Sequence, residues 1–261
     1  QKEYGVTDPD RYVSDIISPG INTLNLTYES NYLASIYIDV FSYYSTKKNG
    51  LSIGLSFLDV STGQNKIYES SSKTGDILYP IDEVYRMMHS HRPKEVLIYI
   101  NNSNKNDNIR LTAESNLTRD FLVKRLELYK TTYHFFETQS KHRDRHYHTE
   151  ILKRVFPQYT NTKMTIVETL ALTYQTDGLI AYITMLDFAY NHGHIIIKNI
   201  RKPDLITDEH KLILNHNSIQ QLEIIADKNK SNYTDSRFDS LISIINKCRT
   251  GMGKRLFLER I

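Results

Sequence analysis

Tryptophan is absent from the 261-residue sequence, cysteine occurs once, and glycine and proline are scarce at ten and six. A lone thiol, Cys248, excludes an internal disulfide framework and fits a reducing, intracellular compartment. The Asn-x-Ser/Thr tripeptides, among them those at Asn25, Asn101, Asn116 and Asn232, therefore read as chance in an asparagine-rich chain. No apolar run approaches the ~20 residues that span a bilayer. No charged-then-apolar leader opens the chain. Neither G-x-x-x-x-G-K-[ST] nor G-x-G-x-x-G occurs, so nucleotide binding by this stretch is not expected. A dense block of one charge sign is missing too. The net charge is +3, and even the run from Lys141 to Arg145 is interrupted by Asp144. Phosphate backbones need clustered Lys and Arg, so weak or no DNA binding is expected.

What is present is a legible alternation of strands and helices. Val13, Ile16 and Ile17 precede the Pro19-Gly20 turn and read as a strand that ends at a linker. Residues 31–42, 51–60 and 64–69 read as three strands. Their separators, Lys47-Lys48-Asn49-Gly50 and Ser61-Thr62-Gly63, are hairpin turns, which makes an antiparallel meander. Over 76–93, Ile81, Val84, Tyr85 and Met88 share a helical face that Pro93 terminates. Residues 94–100 are nearly all apolar, as in a strand buried on both faces. The polar stretch 101–108 reads as a loop, 118–129 as a helix carrying Phe121, Val123, Leu126 and Leu128, and 132–138 as a strand. Residues 142–157 read as a helix ending at Pro157, and 163–191 as a long helical region with its break at Gly178. This β-β-β-α-β-α-β-α-α order predicts an α/β fold with an RNase H-like mixed sheet and helices on both faces.

The texture changes at Asn191-His192-Gly193, where a domain boundary is placed. A short extended crossover precedes helices at 215–227 and 237–248, then a third beginning at Thr250. Phe238, Leu241, Ile242, Ile245 and Cys248 follow helical spacing, and Met252, Leu256, Phe257 and Ile261 continue an apolar stripe to the last residue. A chain that begins at Gln1 and stops inside a helix is expected to be an interior piece of a larger protein, with an exposed stripe from Met252 to Ile261.

Candidate chemistry is thin. Asp39 and Asp59 lie on the first two strands, and a two-metal nuclease needs several carboxylates around ions ~3.5–4 Å apart. Asp59, however, enters a Ser-Thr-Gly turn and is accounted for as a turn cap. His142, His146 and His148 spell H-x-x-x-H-x-H, but Arg143 and Arg145 flank them, so a solvated, basic helix start is expected rather than a metal site. Cys248 belongs to an apolar helix face, where a thiol behaves as a small hydrophobe. Of 19 tyrosines, Tyr32, Tyr37, Tyr68 and Tyr99 fall in strands as ordinary β residues rather than base-stacking platforms. No catalytic, cofactor-binding or metal-ligating residue is expected.

Three stretches in order resemble the MutS family of DNA mismatch repair proteins: "RYVSDIISPGIN", "NYLASIYID…LSIGLSFLDVSTGQNKIYE" and "LNHNSIQQLEII…FDSLISIINKCRTGMGKRLFLERI". Ser18, Asn22, Asn215, Gln221 and Arg260 depart from the family pattern. The resemblance implies that 1–24 is the tail of a mismatch-recognition domain and its linker. It implies that 25–192 is an RNase H-like connector domain, and 193–261 the start of an all-α lever (core) domain. It further implies a relay between mismatched-DNA binding and an ATPase, a surface for a MutL-type partner, and a homodimeric parent that binds ATP and Mg²⁺ outside this segment. The segment itself would then be no enzyme and hold no cofactor. The alternatives are a metal-dependent nuclease on the same sheet, or a protein-binding scaffold without repair activity.

Overall fold

The computed structural model describes residues 18–21, 31–42, 49–101, 109–110, 116–160, 163–192, 200–207, 214, 216–224 and 240–260. The expected strand around Val13 to Ile17 and the stretch 102–108 lie outside them.

β1 (Tyr32–Ser42), β2 (Asn49–Asp59) and β3 (Asn65–Ser71) form the antiparallel meander. The register runs from Tyr32 opposite Asp59 to Ser42 opposite Asn49. The second turn closes as its residues require. Gly63 takes φ 71°, and the Asp59 carboxylate accepts hydrogen bonds from Ser61 N, Ser61 Oγ and Thr62 Oγ1. β4 (Glu95–Asn101) lies parallel to β1. The two-residue strands β5 (Ile109–Arg110) and β6 (Asn116–Leu117) make a separate ribbon. β7 (Thr132–Glu137) pairs parallel with β4, and β8 (Asp204–Leu205) with β3. The six-stranded order is β7-β4-β1-β2-β3-β8, a meander extended by parallel strands across β1. A mixed sheet in an α/β fold is as anticipated; the sixth strand, β8, was not foreseen.

Helices cover both faces. α1 (Tyr79–His91) and α2 (Arg119–Arg125) pack on one side. α3 (Arg145–Val155), α4 (Ile166–Thr169) and α5 (Thr176–His192) pack on the other. The anticipated face of α1 is buried, and Arg92 ends the helix at φ 48° just before Pro93. The helix expected over 118–129 is split: Glu127 turns left-handed at φ 52°, and 128–130 forms a 3-10 turn instead. The break in the long helical region is also not at Gly178. It falls at Ala171, φ 62°, and Gly178 lies inside the first turns of α5.

Beyond α5, residues 200–206 run along the sheet edge. Arg201 N donates to Gly63 O at 2.9 Å, Asn65 Nδ2 to Arg201 O at 2.6 Å, and Ile206 N to Ile67 O at 2.9 Å. Short helices follow: α6 (His216–Gln221), α7 (Leu241–Ile245) and α8 (Gly251–Arg260). Thr250 Oγ1 accepts from Gly253 N at 3.1 Å, the expected start of the last helix. Met252 and Leu256 are exposed as anticipated. Cys248 corrects its expectation. Asn246 leaves helical geometry at ψ 96°, so the thiol sits in the connection after α7 and not on that helix's apolar face. Phe238 lies outside the described residues.

Candidate functional site

At the carboxyl end of β1 and β4 the fold gathers polar groups. Asn101 Nδ2 donates to Asp39 Oδ1 at 2.6 Å. Ser52, opposite Asp39 in the ladder, donates to Asp177 Oδ2 on the first turn of α5. Glu69 on β3 caps that helix from outside, accepting from Asp177 N at 2.8 Å and Gly178 N at 2.9 Å. Burial pushes the Asp177 carboxyl up, the Ser52 hydroxyl draws it back, and the Asp39 charge pushes it up again. Burial likewise raises the Tyr37 hydroxyl, and neighbouring Asp39 adds to it. The Asp39, Asp177 and Glu69 carboxylates and the Ser52 hydroxyl are spent on other protein groups, and among the described residues no three His, Cys, Asp or Glu side chains could hold a metal ion.

The sequence pair Asp39 and Asp59 is not brought together. Asp59 sits across from Tyr32, seven residues of strand away from Asp39, a separation on the order of 20 Å. Two-metal catalysis needs carboxylates around ions ~4 Å apart, so this pair cannot share such a site. Ser52 is also the centre of Gly50-Leu51-Ser52-Ile53-Gly54, a G-x-S-x-G pattern not singled out above. In a hydrolase that pattern makes a strand-to-helix elbow. Here it lies wholly inside β2, and no histidine hydrogen-bonds Ser52 among the described residues.

The histidine run overturns its expectation. His142 and His148 are buried, not solvated; only His146 is exposed. His148 Nε2 donates to His142 O at 2.7 Å. Burial lowers the His148 pKa, favouring the neutral ring. His142 Nε2 approaches Asp187 Oδ2 on α5 at 3.4 Å, and its ring meets Tyr99 edge-on at 5.6 Å. Asp187 also accepts from Lys141 Nζ at 2.9 Å and Tyr147 Oη at 2.8 Å. Burial alone would raise the Asp187 carboxyl, but His142, Lys141 and Tyr147 outweigh it and hold it well below the usual carboxylate range. These contacts join the turn before α3 to α5. No sequence signal pointed to Asp187, because its partners lie some 40 residues upstream.

A depressed carboxyl stabilises the fold above its ordinary pKa of 3.8 and ceases to do so as pH falls through the lowered folded value. Asp187→Asn is expected to cost about 1–3 kcal/mol at pH 7, where the ionised acceptor is lost. The gap between variant and parent should then narrow as melting curves are taken from pH 5 down to about pH 2. A gap that stays constant over that range would contradict the network.

Glu95 makes the third polar centre. Its side chain is fully enclosed at the start of β4. Oε2 accepts from Ser18 Oγ at 2.6 Å and Gly20 N at 2.9 Å, and Oε1 accepts from His134 Nε2 on β7 at 3.0 Å. Gly20 is required there, because a Cβ would stand 2.7 Å from Glu95 Cβ. The segment 18–21 that leads into the sheet is thus fastened to its floor, as 200–206 is fastened along its far edge.

No protein-family model matches the chain. It is similar to a DNA mismatch repair MutS homologue of Acanthamoeba polyphaga mimivirus, 30% identical over 272 residues, covering 98% of this chain and 23% of that protein. It is also similar to DNA mismatch repair protein MutS of Borreliella afzelii, 25% identical over 258 residues, covering 97% of this chain and 24% of the relative. MutS of Borrelia turicatae is 25% identical over 272 residues, covering 98% and 25%. The chain therefore spans about a quarter of the length of these curated relatives. The nuclease domain of the large terminase subunit of bacterial virus Sf6 superposes with a TM-score of 0.30 at 8% identity over 94% of each chain, too distant to inform the comparison. By sequence, then, the chain is similar to MutS proteins over nearly its whole length. No helix among the described residues is long and apolar enough to cross a membrane.

Proposed function

We propose that this chain is the connector and the start of the lever of a MutS-like mismatch repair protein, and that it acts as a mechanical relay rather than as an enzyme. Similarity to MutS relatives over nearly the whole chain carries the reading. The polar centres agree with it. Their side chains hold strands and helices to one another. A relay must transmit displacement, so the segments entering and leaving it need firm attachment. Glu95 supplies the entry anchor, and β8 with Asn65 supplies the exit anchor. Under this reading, mismatched duplex is bound and ATP with Mg²⁺ is turned over elsewhere in a homodimeric parent, and a MutL-type protein docks on the connector.

The test uses the longer parent protein. ATP turnover should rise when a duplex with a single mismatch replaces the matched duplex. Equal turnover on both duplexes would leave only a scaffold without repair activity, and a parent without an ATPase segment would end the idea.

A further inference from the structure

β7 is one edge of the six-stranded sheet, and of the features that normally blunt such an edge it carries only a single charge, Glu137, at its end. Its sequence, TYHFFE, contains no proline, lysine or glycine. Five of its six residues are exposed, among them Tyr133 and Phe136 at 37% each. Its only strand partner among the described residues is β4, so its outer N–H and C=O groups form a ready template. The two sheet faces at this edge each carry an aromatic shelf. Tyr133 meets Phe135 edge-on at 5.8 Å on one side. On the other, Phe136 stacks on Tyr99 with centroids 5.1 Å apart.

Cations bracket the edge. Arg119 lies over the Phe135 ring at 5.4 Å, and Lys141, Arg143 and Arg145 are exposed just after the strand. Over 119–145 there are seven Lys or Arg and four Asp or Glu, of which Glu137 ends the strand itself.

We propose that β7 accepts an extended acidic peptide from a partner protein as an added strand, with apolar side chains at alternate positions over the aromatic shelves and carboxylates toward Arg119 and the cations after the strand. Main-chain pairing supplies affinity in such additions, and alternate side chains supply selectivity. The inference rests on the edge geometry and charge alone, and stands whether or not the relay reading holds.

The probe is a fluorescein-labelled octapeptide, Glu-Val-Glu-Ile-Glu-Val-Glu-Ile, titrated with the chain and followed by anisotropy. Saturable binding is expected with Kd on the order of 100 µM. The Lys-for-Glu peptide should bind at least about fivefold more weakly, as should the acidic peptide to Arg119→Glu. Of two peptides N-methylated at alternate residues, the one that blocks the bonding edge should lose binding and the other keep it. Absence of saturation, equal binding of the basic peptide, or indifference to both methylation patterns would overturn the proposal. So would sedimentation showing a dimer of this chain that occludes the edge, which would assign β7 to a second copy.

Discussion

Gly54→Ala is expected to lower stability by about 3 kcal/mol, a fall of roughly 6–12 °C in Tm for a chain of this size. A Cβ at Gly54 would stand 1.9 Å from Asp177 O and 2.1 Å from Asp177 C. Both are backbone atoms of the first turn of α5, so no rotamer change relieves the clash. The helix must lift from β2. Lifting it would part Ser56 Oγ from Ala181 O, now 3.0 Å away, and Ser35 Oγ from Thr184 Oγ1, now 2.9 Å away. Gly178→Ala is the matched control. Its Cβ would meet Ile67 Cγ2 at 2.9 Å, a methyl of a stiff, buried side chain rather than backbone, and alanine favours the helix by about 1 kcal/mol. That variant should lose clearly less stability than Gly54→Ala, because a side-chain methyl can give by a few tenths of an ångström where the helix backbone cannot. Equal melting of Gly54→Ala and the parent would mean that α5 is not seated on β2 in solution.

Glu95→Ala should release the entry segment. The substitution removes the acceptor for Ser18 Oγ, Gly20 N and His134 Nε2 at once, inside the protein. A buried donor left without a partner costs about 1–3 kcal/mol, and the cheapest escape is for 18–21 to leave the surface and bond to water. The loss should therefore be local. Amide exchange at Gly20 is expected to quicken by about 30- to 150-fold, corresponding to 2–3 kcal/mol of opening free energy, while amides of β1 and β2 change far less. Glu95→Gln keeps the shape and one acceptor oxygen, so it should fall between. In the longer parent, the same variant should loosen the coupling of mismatch binding to ATP turnover. That part depends on the relay reading, whereas the exchange result at Gly20 does not.

Some of this was readable in the residues and some was not. The apolar run Val96 to Ile100 announced a strand enclosed on both faces, and β4 lies inside the sheet, between β1 and β7. The Asp59 turn was equally legible, because a side chain bonding to its own next residues is a local event. The histidines misled because a flanking charge says nothing about what lies above the ring. Arg143 and Arg145 are exposed, while His142 and His148, on either side of them in sequence, are buried. The helix break was assigned to Gly178 on propensity, yet the chain turns at Ala171, where the Thr165–Glu168 capping box has already opened a separate short helix. At Gly178 a residue without a side chain serves close packing instead.

The order of the longer strands β1–β4 and β7, the helix after β3 and the tight turn at Asp59 were determined by the sequence alone, since each depends on neighbours within a few positions. Which face of β2 is dry was decided only in three dimensions. Ser52, Gly54 and Ser56 alternate with Leu51, Ile53 and Leu55 as a solvent-facing row would, yet α5 lies on them. Small and hydroxylated side chains suit either water or a closely approaching helix. What separates the two cases is a helix more than a hundred residues further along the chain.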